Sequence, residues 1–313
     1  MGFYILNRIL MLIPTLFVVS IVVFGLQKLL PGDIAMALAG EEKDPTVLAA
    51  IRAQYHLDLP VPTQYFLWLG DILRGDLGRS MRNQVSVVDL IQTKLPVTMM
   101  LSAIAMTWAL AIGLTTGIVS ALHKGTWLDY LSNVIGLAGL SVPHFWLGLM
   151  LILLFSVYLG WLPASGYISP FEDFGQSIRS LLMPSFVLGA SVAGVIMRHT
   201  RSAMLTALSA DYIRTARAKG LHRHVILVRH GFRNALVPLI TVTALQIGAL
   251  LSGAVLTEQV FTIPGFGRLI VESVYTRDYG VVQGVVLTTA AIYMLLNLLA
   301  DLAYAVADPR VRR

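Results

Sequence analysis

Residues 9–30 read "ILMLIPTLFVVSIVVFGLQKLL", with Lys28 as the single charge. About 20 mainly apolar residues suffice for a helix to cross the roughly 30 Å hydrocarbon core of a bilayer. No other feature constrains the fold as much, because five more such runs follow, near 97–122, 130–159, 184–204, 235–257 and 281–306. In hydrocarbon the backbone must satisfy its own hydrogen bonds, so such runs are read as helices. Only 13% of the 313 residues are charged, against about 25% in soluble domains. The reading is an all-α integral membrane protein with six transmembrane helices. The first run follows Arg8, as a signal peptide would. Its apolar core exceeds the usual span of about 7–15 residues, however, and no A-x-A-like site follows, so it is read as a retained first span.

The runs divide the chain into an N-terminal end with its first span (1–30), an insertion (31–94), a five-span core (95–306) and a short tail (307–313). The insertion holds eight acids against six bases, with turn signals at "PGD", "DLPVP" and "RGDLGRS". Within it, "DPTVLAAIRAQYHL" carries apolar residues at helical spacing behind an Asp-Pro start, which predicts a short amphipathic helix. Gly136, Gly139, Gly189, Gly194, Gly248 and Gly253 allow helices to approach closely or mark a gate, and close packing is preferred. Pro96, Pro143, Pro184 and Pro238 are expected to kink or cap the spans.

Lys and Arg in short loops orient the spans. Arg198, Arg201, Arg214, Arg217, Lys219, Arg223, Arg229 and Arg233 fall between the fourth and fifth runs, opposed by Asp211 alone. The tail adds Arg310, Arg312 and Arg313. The short loops of the other side carry only Arg179, Arg268 and Arg277. Both termini and the basic stretch are therefore expected in the cytoplasm, with the insertion outside.

The sequence contains no phosphate-cradling G-x-x-x-x-G-K-[ST], no H-E-x-x-H and no G-x-S-x-G. With no cysteine, disulfides and thiolate metal sites are excluded. The seven histidines have no metal-ligand spacing; His222 and His224 sit among arginines that would repel a cation. No catalytic site, metal site or bound cofactor is expected in this chain. Ionisable groups at membrane depth are functional candidates by default. Asp301, with Asn297 one turn before it, is the main one; the alternatives are that it is wetted at the interface or paired with a neighbouring helix. Glu258, Arg198 and Arg201 lie at span ends and are read as interfacial, with Glu258 kept beside Asp301 and Asn297 as a candidate for the pathway or its gate.

The basic stretch "DYIRTARAKGLHRHVILVRHGFRNALVP", residues 211–238, admits three readings. Nucleic-acid binding would need stacking or base-reading groups, and only Tyr212 and Phe232 are aromatic. A helix lying on anionic lipid accounts for the charge but not for the small residues Thr215, Ala216, Ala218 and Gly220. Small residues at a helix and turn suit docking into a groove on another protein, which is preferred. Asp211 can cap a first helix, Gly220 can end it in a left-handed turn, and a second short helix is predicted from about His222 to Asn234.

"YIRTARAKGL", with the following "RHGFRNALVP", resembles the cytoplasmic coupling segment of ABC-importer permeases in its dipeptide/oligopeptide (peptide/nickel-type) branch. Arg214-Thr215-Ala216 fills the place of that family's E-A-A and Gly220 the place of its glycine. Arg214 or Arg217 then stands in for the missing Glu. "LIPTLFVVSIVVFGLQKLLPGD", "LDLPVPTQYFLWLGDILRGDLGRS", "SVPHFWLGLMLILLFSVYLGWLPASGY", "TEQVFTIPGFGRL" and "ADPRVRR" resemble the same branch in order along nearly the whole chain. The resemblance implies a permease subunit whose segment Asp211, Arg214, Thr215, Ala216, Arg217, Ala218, Lys219 and Gly220 couples it to an ATPase. It further implies a second homologous permease, two cytoplasmic ATPases that use ATP and Mg, and an external solute-binding protein. Cargoes of that branch include di- and oligopeptides, glutathione and nickel complexes. A channel or secondary transporter would need more intramembrane ionisable groups, and a membrane enzyme or sensor would need a catalytic or ligand cluster within 31–94.

Overall fold

The computed structural model describes residues 2–29, 35–36, 44–54 and 56–307, so the P-G-D at 31–33 and the tail from 308 lie outside the described residues. Eleven named helices carry the described chain: α1 Gly2–Leu29, α2 Pro45–Gln54, α3 Val61–Leu73, α4 Val87–Leu122, α5 Trp127–Ser141, α6 His144–Leu151, α7 Phe174–Ser209, α8 Asp211–Ala218, α9 Arg233–Val260, α10 Phe266–Tyr275 and α11 Tyr279–Ala307. Two π-helical stretches, Ile152–Tyr158 and Ile226–Phe232, continue α6 and lead into α9. Among the described residues, the β-structure is one isolated bridge, Arg79 to Ser86.

Among the described residues, four helices are long and apolar enough to cross a membrane: α4, α7, α11 as far as Ala300, and the continuous rod Arg223–Val260. The run read as one span over 130–159 is a broken pair, α5 and α6 with its π-extension, bent by 104°. Pro143 explains the break: it offers no N–H and biases Val142 to the extended backbone found there (φ −79°, ψ 124°). Counted as one span, the pair makes five; the apolar part of α1, Leu10–Leu26, is shorter. Pro96 and Pro184 lie inside helices that begin well before them, at Val87 and Phe174, and so cap neither helix. Asp173 caps α7 by accepting the Gln176 N–H at 3.0 Å. The predicted insertion helix is α2, started by Asp44, whose carboxylate accepts the Thr46 N–H at 2.8 Å and the Thr46 hydroxyl at 2.7 Å.

The chain divides into two compact units, one built on Val97–Arg268 and the other on Leu6–Pro96 with Leu269–Met294. The first has α7 at its centre, with Leu181, Leu188, Val192 and Ile196 buried against Leu101, Ala105 and Leu250. Small residues let the rods approach: a methyl group at Gly113 would lie 2.8 Å from the Ala193 carbonyl oxygen, and one at Gly139 or Gly189 would strike the carbonyl of Ala190 or Ala105. Close packing, the preferred reading of the glycines, is what these contacts enforce. In the second unit, Tyr65 of α3 packs edge-on against Phe24 of α1 and shares a 2.8 Å hydrogen bond with the Ser20 hydroxyl. Asp278 accepts the Ser80 hydroxyl and the Met81 N–H, fixing the "RGDLGRS" turn beside the start of α11.

Candidate functional site

The basic stretch folds into a compact helix–turn–helix. Helix α8 leaves α7 through Ala210, whose extended backbone (φ −72°, ψ 154°) breaks the rod. Ala210 therefore holds the capping position, and Asp211 is the first helical residue, without a capping bond of its own. That corrects the expected cap; Asp211 instead forms an exposed 3.6 Å ion pair with Arg214 one turn on. Ile213 and Ala216 face inward, packing with Ile226 and Leu208. Arg214, Thr215, Arg217, Ala218, Lys219 and Gly220 stay exposed. Gly220 ends the helix at φ +74°, where its N–H reaches the Arg217 carbonyl at 2.9 Å. A residue with a side chain is strained at that backbone angle.

The second helix of the stretch is not a separate element. A single turn, Arg223–Val225, runs through the π-helical residues Ile226–Phe232 directly into α9. Gly231 permits this path, since a methyl group there would lie 3.0 Å from a Leu208 methyl carbon. Leu208 thus touches both Gly231 and the underside of α8, so the end of α7 is the seat of the whole segment.

Seven residues before Leu208, the structure contains a polar joint that sequence reasoning missed. Arg201 donates through Nε and Nη2 to the two Asp129 carboxylate oxygens, both at 3.0 Å. Nε also lies 2.8 Å from the Ser120 oxygen, and the Gly125 N–H reaches Asp129 at 3.0 Å. Asn133 completes the shell at 2.8 Å. The joint ties α4, α5 and α7 together with the loop between the first two. Arg201 is thus held in a joint and only partly exposed, whereas Arg198, three residues away, is exposed. Asp129 and Arg201 stand 72 positions apart, and no local pattern links them.

Glu258, read as interfacial, is fully buried within the protein. Its carboxylate accepts the Thr98 hydroxyl, the Arg268 N–H at 2.8 Å and the Gly267 N–H. Thr98 in turn accepts the Phe266 N–H at 2.8 Å. The loop 261–265 and the start of α10 are thereby folded over one side chain, and "PGFG" is explained: a side chain at Gly265 would occupy the carboxylate's own space. Thr262 sits at φ +54°, an uncommon angle for a β-branched residue, so the loop is held under local strain. Asn297 is half-buried on α11. Asp301 lies on the same helix, and its side chain is outside the described residues. Among the described residues no three His, Asp or Glu side chains converge where a metal could bind.

Comparison with known proteins adds an independent finding. Residues 113–313 match the family described as the binding-protein-dependent transport system inner membrane component, and residues 1–102 match its N-terminal companion. The chain belongs to this permease family. The glutathione transport system permease protein GsiC of Escherichia coli strain K12 is 42% identical to this permease over 309 residues, covering 99% of this chain and 98% of that one. GsiC of Shigella boydii is 41% identical over the same share. The permease also resembles a chain of the MetNI methionine ABC transporter in its inward-facing conformations. That likeness has a TM-score of 0.58 at 18% identity, over 70% of this chain and 96% of that one, and concerns the fold alone. The protein is thus a membrane permease subunit of an ABC importer.

Proposed function

We propose that this permease carries glutathione or a short peptide inward, with α8 and its turn as the coupling element. The full-length likeness to glutathione permeases carries the substrate class. Di- and oligopeptides share its chemistry of amides flanked by charged ends. Nickel complexes are the alternative cargo within reach of the same architecture.

In this reading α1, α4, the bent pair α5–α6, α7, α9 and α11 are the six spans, with both termini and residues 211–234 in the cytoplasm and residues 31–94 outside. The partners are a second homologous permease, two ATPases that bind ATP and Mg, and an external solute-binding protein. Closure of the ATPases moves α8, and Leu208 passes that motion into α7. The Asp129–Arg201 joint makes α4 and α5 follow. Substrate delivered outside then meets an opened path between the permeases. Coupling requires that the segment dock differently in the two ATPase states, since equal affinity shifts no equilibrium. Glu258 holds the 261–265 loop as part of the gate, and Asp301 with Asn297 belongs to the path.

The test is reconstitution of the complete importer with uptake of labelled glutathione and dipeptides alongside ATP hydrolysis. Gly220→Pro cannot adopt a φ of +74° and is expected to leave hydrolysis running while uptake is lost. Uptake at the wild-type level in that variant would refute the coupling role. Asp301→Asn is expected to slow uptake without altering membrane insertion; unchanged uptake removes Asp301 from the path.

A further inference from the structure

Between the end of α4 and the turn after α8 lies a cavity of about 570 Å³, open on one side. Its apolar wall includes Leu122, Leu208, Leu221 and Leu227, and two arginines, Arg217 and Arg223, complete it. Both arginines are exposed, and among the described residues neither is paired with a carboxylate. Leu122 is the last residue of α4 and Leu208 lies in the last turn of α7, so the cavity sits where two membrane-crossing helices end.

Two uncompensated guanidinium groups attract an anion, and their planar N–H forks suit phosphate oxygens. The rest of the lining, Ala121, Ile226 and the four leucines, is aliphatic and would gain nothing from a free, fully hydrated anion. The occupant that suits both halves is an amphiphile with a phosphate head, at the depth where a bilayer supplies one. Basic pockets between spans on the cytoplasmic side are places where such head groups bind.

We propose that this cavity holds the phosphate head of an anionic phospholipid, with its chains entering the bilayer beside Leu122 and Leu208. The inference rests on the cytoplasmic placement of residues 211–234 in the function proposed above. The lipid would brace Arg217, on the coupling helix, against the end of α4. The coupling element would then be seated partly on lipid, and its position would depend on the composition of the inner leaflet.

The importer, purified with its ATPases, would be placed in nanodiscs of phosphatidylethanolamine containing a minority of phosphatidylglycerol. Native mass spectrometry then reads the lipid each variant retains. Wild type is expected to keep phosphatidylglycerol in preference to phosphatidylethanolamine. Arg223→Gln should reduce that retention about fivefold, the equivalent of roughly 1 kcal/mol per basic residue near an anionic surface. Leu221→Trp, which fills the cavity and keeps both charges, should reduce it as much. Equal retention by wild type and both variants would overturn the site. Displacement of the lipid by glycerol phosphate or inorganic phosphate would identify a free anion as the occupant and overturn the lipid. Selective retention without copurifying ATPases would support the site while counting against the coupling function.

Discussion

Two Asp–Arg pairs lie in the same unit, and they are built in opposite ways. Asp129 and Arg201 meet at 3.0 Å with side chains 7% and 28% exposed, and together with Ser120 they join three helices. Asp211 and Arg214 meet at 3.6 Å with side chains 95% and 80% exposed, within one turn of one helix. An exposed pair of the second kind is worth about 0–1 kcal/mol, because water and salt screen it and two long side chains must be ordered. A partly buried, bidentate pair has already lost its water, so removing one partner strands the other. The first pair therefore holds the permease together. The second constrains almost nothing and leaves the charged face of α8 available to a partner.

The widest separation between the two is expected from Arg201→Ala. It leaves the Asp129 carboxylate with only Ser120, Gly125 and Asn133 around it. Loss of about 3 kcal/mol is expected, the low end for breaking a buried pair because Arg201 is more than a quarter exposed. Thermal unfolding of the detergent-solubilised permease would measure it. Arg201→Lys should recover part of the loss, since an ammonium group supplies charge but not the planar fork. A loss below about 1 kcal/mol for the alanine variant would mean the joint behaves as a surface pair.

Glu258→Gln asks whether a buried carboxylate bound by backbone N–H groups behaves like the Asp129 joint. The amide turns one acceptor into a donor facing Thr98 or the Gly267 and Arg268 N–H groups. A cost of about 1–3 kcal/mol is expected, the penalty for stranding a buried donor. Limited proteolysis at loop 261–265 should accelerate in parallel. Stability within error of wild type, with the loop equally protected, would show that the loop stands without the carboxylate.

Which of these features could be read in the sequence follows from the range over which they act. The apolar runs, the amphipathic α2 behind Asp44-Pro45 and the glycine turn at Gly220 were legible because neighbours in sequence determine them. The close-packed glycines were legible as small residues, though not their partners. Pro143 was legible as a kink, though not the 104° angle of the break it makes. The partners of Glu258 and Arg201 were not legible for a single reason: Thr98 and Asp129 stand 160 and 72 residues away. Position near the end of an apolar run says how close water is on average. It does not say whether another helix has displaced that water.

A smaller and more local effect is expected at Gly220. Gly220→Ala keeps the turn but places a methyl group at φ +74°, where no atom obstructs it within 4 Å. Its cost is therefore conformational, about 1 kcal/mol for a left-handed residue with a side chain. Global unfolding should barely move, because the exposed turn frays separately from the core. Hydrogen exchange in α8 should accelerate severalfold, and uptake per ATP should fall. A large fall in unfolding temperature would mean that the turn belongs to the core and that the contrast between the two pairs has been drawn in the wrong place.

The smallest effect is expected from Asp211→Asn. The substitution keeps the shape of the side chain and removes a charge from the first turn of α8, where the helix dipole favours an acid only modestly and salt screens the benefit. It also frees Arg214 from its 3.6 Å partner. No measurable change in unfolding temperature should follow, in contrast to Arg201→Ala. If Arg214 meets an acidic groove on an ATPase, releasing it should tighten that contact, most visibly at low ionic strength, and raising salt should erase the gain. Binding of the ATPase to wild type and Asp211→Asn, compared at two salt concentrations, separates the outcomes. A salt-dependent gain would assign the exposed pair to the partner. A loss of stability with no change in binding would return it to the fold, beside Asp129 and Arg201.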